Sequence, residues 1–174
     1  SLELADLSLE QGSVAWTKQR KCVSCHTNGL YLFSRPELTL ELGPPSIENR
    51  DFFVSELRKM KTLDQEKLLS GIRPTQVAYI AAGLAEWDRH VSKKVSPETD
   101  EALRFMLSLQ AQDGSWGNLD CWPPFESSNF QGATVAARAL ASAPGWLENL
   151  KEEPLQAGVD RLKAYLQKTE PAHD

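Results

Sequence analysis

The sequence predicts an all-α protein. Three observations carry that reading: apolar residues recur at three- and four-residue steps, helix caps stand where those runs begin, and no pair of alternating segments is joined by a hairpin turn. At 174 residues with 41% hydrophobic and 25% charged side chains, the chain has the size and composition of one soluble domain. It is long enough to bury about two-thirds of its unfolded surface. The finer expectation is a partial α/α toroid-like array of helical hairpins over 51–174, preceded over 1–50 by an attachment helix and a long ordered loop.

The elements follow in order. The first periodic stretch runs from Leu9 to Lys21 with Val14 and Trp16 on its apolar positions and Ser8 as N-cap. It leads directly into Cys22-Val23-Ser24-Cys25-His26. From Thr27 to Ser46 the periodicity breaks at Asn28-Gly29, Pro36 and Gly43-Pro44-Pro45, around a short apolar patch at Leu30, Tyr31, Leu32 and Phe33. This predicts an ordered loop wrapped over something. Ile47 to Met60 and Leu63 to Leu69 read as helices, the second closed by Ser70-Gly71 ahead of Pro74. Thr75 to Val91 is the strongest helix signal, with Val77, Ile80, Ala81, Leu84 and Trp87 in step and Asp88-Arg89-His90 at its end. Ser96-Pro97-Glu98 caps the next helix, which buries Leu103, Met106, Leu107 and Leu109 and stops at Asp113-Gly114. After the turn Cys121-Trp122-Pro123-Pro124-Phe125, two more helices are expected over Gln131 to Ala141 and Pro154 to Lys168, parted by Pro144-Gly145.

Charge excludes some functions. With 19 Lys and Arg against 24 Asp and Glu, the net charge is −5, which gives no general grip on nucleic acid or anionic lipid. No apolar run approaches the roughly 20 residues of a membrane helix.

The motif that carries chemistry is Cys22-x-x-Cys25-His26. Two cysteines at this spacing, followed at once by histidine, form the pattern for covalent haem attachment: the sulfurs reach the two vinyl-derived carbons of one porphyrin edge, and the imidazole takes an axial position on iron. The expected cofactor is one haem c, held by Cys22 and Cys25 with His26 as proximal ligand. A zinc site drawn from Cys22, Cys25, Cys121 and His90 lacks a second closely spaced ligand pair. A thioredoxin-type dithiol would follow a strand and open a helix, whereas this motif follows a helix.

The sixth ligand is open. His90 at its helix end and Cys121 in its Trp-Pro-Pro turn lead the field, ahead of Met60, Met106 and His173. The two methionines stand at core spacing, and His173 lies next to the chain end. Arg20, Arg35, Arg50 and Arg89 all stand near candidate pocket elements, with surface solvation as the default for each.

Because c-type attachment takes place outside the bacterial cytoplasm, the chain is expected to be exported to the periplasm or its equivalent. The leading function is electron transfer. The alternatives are a haem-based sensor of small ligands or a peroxidase-like site with a displaceable sixth ligand, and a structural or docking module of a larger exported protein. Expected partners are a redox protein or other domains of a parent chain. A faint similarity between Glu101–Leu107 and Val159–Leu166 suggests a repeat cut short, as in one part of a longer protein.

The segment Gln110-Ala-Gln-Asp113-Gly114-Ser-Trp116 resembles the QW repeat of squalene-hopene cyclases and related α/α toroids. The resemblance covers about the C-terminal half, Thr75 to Gln167. It implies an α/α fold in which the Gln110 amide ties neighbouring helices and stacks on the Trp116 indole. It does not extend to cyclase activity, because the Asp-x-Asp-Asp acid is missing and Asp88 and Asp120 are lone acids. A Cys-x-x-Cys-His at the head of such helices, with Trp87-Asp-Arg-His90 and the Cys121 turn, is similar to toroid-like haem domains of large exported bacterial proteins.

Overall fold

The computed structural model describes residues 1–117 and 128–169, and every element in them is helical. In chain order these are α1 (Leu2–Arg20), α2 (Asn28–Ser34), a 3₁₀ turn (Arg35–Leu38), α3 (Thr39–Leu42), α4 (Ile47–Met60), α5 (Gln65–Leu68) and α6 (Arg73–Trp87). A π-helical turn (Asp88–Ser92), α7 (Pro97–Ser108), α8 (Asn129–Ser142), α9 (Trp146–Asn149) and α10 (Glu153–Lys168) follow. The all-α class is therefore what the chain adopts. Among the described residues no helix is long and apolar enough to cross a membrane.

The centre is α6. Its residues from Val77 to Trp87 are all buried, and all but Glu86 and the Tyr79 hydroxyl are apolar, as suits a helix enclosed by others. It packs against α2, α4, α7 and α8. Its small residues let those neighbours come close: a Cβ on Gly83 would lie 3.0 Å from the Phe53 ring and 3.1 Å from the Leu32 side chain. Around it α1 lies on α2 and α4, and α10 on α7 and α8.

Ser96 caps α7 as the sequence indicates, and two further serines act in the same way. Ser46 accepts from the Glu48 N–H, Ser96 from Thr99 and Ser128 from Gln131, each satisfying an orphan donor of the first turn. Pro97 occupies the first turn of α7, where its missing N–H costs nothing.

Two expectations need correction. The first helix begins at Leu2, not Leu9, so Ser8 is an interior residue and Ser1 stands at the N-cap. The stretch expected as a long ordered loop over 27–46 is instead two short helices joined by a 3₁₀ turn, after which α4 starts at Ile47 as expected. Asn28 and Gly29 lie in the first turn of α2, and Pro36 in the first turn of the 3₁₀ segment, positions that tolerate residues disfavoured in helix interiors. The expected break survives at Gly43, whose φ of 74° ends α3 before Pro44.

The turn after α7 is held by side-chain hydrogen bonds. The Gln110 amide donates to the Gly114 carbonyl at 3.1 Å and to Gly158 of α10 at 3.0 Å, while Arg161 donates to its oxygen at 3.0 Å. Gln110 thus ties α7 to α10. The Trp116 indole is fully buried and gives its N–H to the Met106 carbonyl at 2.8 Å.

Candidate functional site

The Cys22–His26 segment is a short connection between α1 and α2, and several of its backbone groups, the Cys22, Val23 and Ser24 carbonyls among them, are claimed by neighbours. Asn28, fully buried, is the main clasp: its Oδ1 accepts from the Ser24 N–H at 2.8 Å, and its Nδ2 donates to the Cys22 carbonyl at 3.1 Å and to Thr17 Oγ1 at 3.2 Å. Trp16 Nε1 donates to the same Cys22 carbonyl at 3.2 Å, and Gln76 from α6 donates to the Val23 carbonyl at 2.7 Å. The Ser24 carbonyl receives the Gly29 N–H at 2.8 Å. In a buried loop each such pairing avoids the cost of an orphaned polar group.

His26 projects from this loop to the surface. Its Nδ1 lies 3.1 Å from Ser24 Oγ, and its ring meets Trp16 edge-on, with centroids 5.4 Å apart at 76°. Cys22 is half-buried and Cys25 is packed into the core at 7% exposure, with no disulfide between them. Cys25 Sγ is 3.9 Å from His26 Nδ1.

His26 stands at a cleft of ≈ 330 Å³ between α1 and the segment from α2 to α3, at the lower end of the range typical of small-molecule sites. The walls are mainly apolar, with Leu2 and Leu9 on one side and Leu30, Leu38 and Leu42 on the other. Leu9 is 66% exposed and Leu30 45%, so a molecule in the cleft would cover leucine surface that otherwise meets water. The polar part of the wall is Asp6 with Arg35. Arg35, 5% exposed, ion-pairs with Asp6 and donates to the Gly43 carbonyl at 3.0 Å. Its hydrogen bond to Asp6 raises the guanidinium pKa above its ordinary value, so it stays charged. Beside it Tyr31 is 6% exposed. Burial first, and then the Glu10 and Asp6 carboxylates, push its phenol well above the ordinary range, so it remains protonated.

The other expected site residues lie elsewhere. His90 sits on the π turn with its Nε2 3.3 Å from Glu86 Oε2, and it does not line the cleft. Met60 and Met106 belong to the core. Cys121 and His173 fall outside the described residues. Of the four arginines, Arg35 alone lines the cleft, Arg20 lies over the Trp16 ring at 5.7 Å, Arg50 reaches Glu98, and Arg89 borders a separate hollow with Lys93. Among the described residues no three His, Cys, Asp or Glu side chains come together to hold a metal ion.

Sequence reasoning found the motif and missed what frames it: Trp16, Ser24, Asn28 and Gln76 as clasps, and the leucines of α1 and α3 as walls. The Asn28-Gly29 pair was the available signal, since it stands two residues after His26 in a segment too apolar for a plain turn. No family model, curated protein or solved structure matches the chain.

Proposed function

We propose that this chain is an exported c-type cytochrome domain that carries one covalent haem in the cleft beside His26 and transfers electrons. The observation that carries the reading is that His26, last residue of a complete Cys-x-x-Cys-His, stands exposed at the edge of a leucine-walled cleft. Bound there, haem would supply a one-electron couple. Cys22 and Cys25 would hold it through thioethers, with His26 as proximal ligand. Leu2, Leu9, Leu30, Leu38 and Leu42 would exclude water from its faces. Neither cysteine lines the cleft, and Cys25 is buried, so both sulfurs have to turn toward it, Cys25 out of the core, for the thioethers to form. A redox protein or neighbouring domains of a parent chain would exchange the electrons. The tie from Gln110 to α10 supports reading the C-terminal half as a toroid-like array of hairpins.

One observation favours the second reading, a ligand sensor or peroxidase-like site with a displaceable sixth ligand. Among the described residues the cleft presents one imidazole and neither a methionine nor a second histidine.

Mass spectrometry after co-expression with c-type maturation machinery tests the proposal. The expected result is the chain plus one haem, lost in the Cys22→Ala/Cys25→Ala double variant. An unmodified mass under maturation that loads a control cytochrome overturns it. Carbon monoxide binding to the ferrous protein then separates the two readings, being rapid only where the sixth position exchanges.

A further inference from the structure

The Ser24 hydroxyl lies within the motif itself, is 4% exposed, and stands 3.1 Å from His26 Nδ1 while also accepting the His26 backbone N–H at 3.3 Å. Its place is fixed from both sides, because the Ser24 N–H is held by Asn28 and the Ser24 carbonyl by Gly29. The imidazole is fixed too, with Trp16 against its face or edge at 5.4 Å between centroids. A histidine that ligates a metal through one ring nitrogen carries its proton on the other, and the partner of that proton sets both ring orientation and ligand basicity.

We infer that Ser24 is the positioning residue of His26: in the haem-loaded protein its hydroxyl oxygen accepts a hydrogen bond from Nδ1–H, which assigns Nε2 to the iron and tunes its electron donation. This rests on the proposed haem function. A hydroxyl acceptor leaves the imidazole more electron-rich than no acceptor does, and an electron-rich ligand favours ferric over ferrous iron. Ser24 therefore holds the potential below the value it would have without the contact. The Ser24–His26 contact also selects a rotamer before any metal arrives, so less of the ring's freedom remains to be lost on ligation.

The test uses the matured holoprotein. In Ser24→Ala the added haem mass is expected to stay, the midpoint potential to rise, and the His26 Nδ1 proton, followed by its paramagnetically shifted resonance, to exchange with deuterated water about fivefold faster, matching one lost hydrogen bond of typical net strength. A side chain with a merely structural role would lower the melting temperature and leave potential and proton exchange in place. Unchanged potential and exchange in a haem-loaded Ser24→Ala protein overturn the inference. So does an Nδ1 proton in the unsubstituted holoprotein that exchanges as fast as free imidazole, a measurement that needs no variant. Failure of the chain to take up haem at all overturns the functional proposal instead, and the mass distinguishes the two.

Discussion

Asn28 closes a three-point clasp on the loop that precedes it, with its oxygen 2.8 Å from the Ser24 nitrogen and its amide nitrogen 3.1 Å from the Cys22 carbonyl. The start and the middle of the motif are thereby held to the first turn of α2, and the third contact, to Thr17, ties both to α1. Asn28→Ala leaves the Ser24 N–H and Thr17 hydroxyl without this partner in a buried setting, and is expected to cost about 2–4 kcal/mol. Urea unfolding checks this, and a midpoint equal to that of the parent chain would contradict the clasp.

Glycine substitutions should separate by what a methyl group meets. At Gly114, where φ is 96°, a Cβ would fall 2.3 Å from the Arg161 carbonyl oxygen. Backbone strain and overlap together predict a loss of more than about 3 kcal/mol for Gly114→Ala. Gly29→Ala places its Cβ 2.4 Å from the Ser24 carbonyl oxygen and should cost about 1–3 kcal/mol. Gly12→Ala, inside α1 with nothing within 4 Å, should instead stabilise by about 0.5–1 kcal/mol. The rank order in thermal melts is the check.

Tyr31 carries a pH dependence of definite sign. Its phenol is raised by burial and by the Glu10 and Asp6 carboxylates, so above the ordinary tyrosine value, near 10, the unfolded chain releases this proton while the folded one retains it. Stability contributed this way is complete below about pH 10 and falls as pH rises through the folded value. Tyr31→Phe should flatten that alkaline loss. At pH 7 it should be neutral or stabilising by up to about 1 kcal/mol, because the buried hydroxyl has no hydrogen-bond partner among the described residues. Unfolding free energies from pH 7 to strongly alkaline solution would expose an error if both proteins lost stability in parallel.

Glu86 is fully buried on α6 and receives Arg138 Nε and Ser142 Oγ on one oxygen, each at 2.6 Å. Removing the guanidinium takes the arginine partner from a side chain buried in the core and leaves it Ser142 and His90. Arg138→Ala is expected to cost about 2–4 kcal/mol, and Glu86→Gln, which keeps an acceptor for both donors, about 1 kcal/mol. Equal melting temperatures for the two variants would refute this ordering.

The boundaries that sequence reasoning placed well, at Ser96-Pro97 and Ile47, are those where a cap and an apolar stripe agree. It failed where burial and pattern part company. The leading turns of α1 carry Leu2, Leu4, Leu7 and Leu9 at irregular spacing, and all four are 51–67% exposed, so no single buried stripe announces the helix. One-turn helices such as Trp146–Asn149, which follows Gly145 at a φ of 67°, are too short for a period to show. The motif at Cys22, Cys25 and His26 was legible because its chemistry is local in sequence. The cleft was not, since its walls come from residues 2–13 and 26–42 and exist only once α1 and α2 meet.

The bond from Gln76 to the Val23 carbonyl joins the motif to a helix that has no solvent-facing side along most of its length. The loop is thereby anchored to the interior although it runs near the surface. If the proposed haem is held there, that anchoring would limit the displacement of the surrounding protein on oxidation and reduction. A small reorganisation energy of that kind lets an electron cross a gap quickly on a modest driving force.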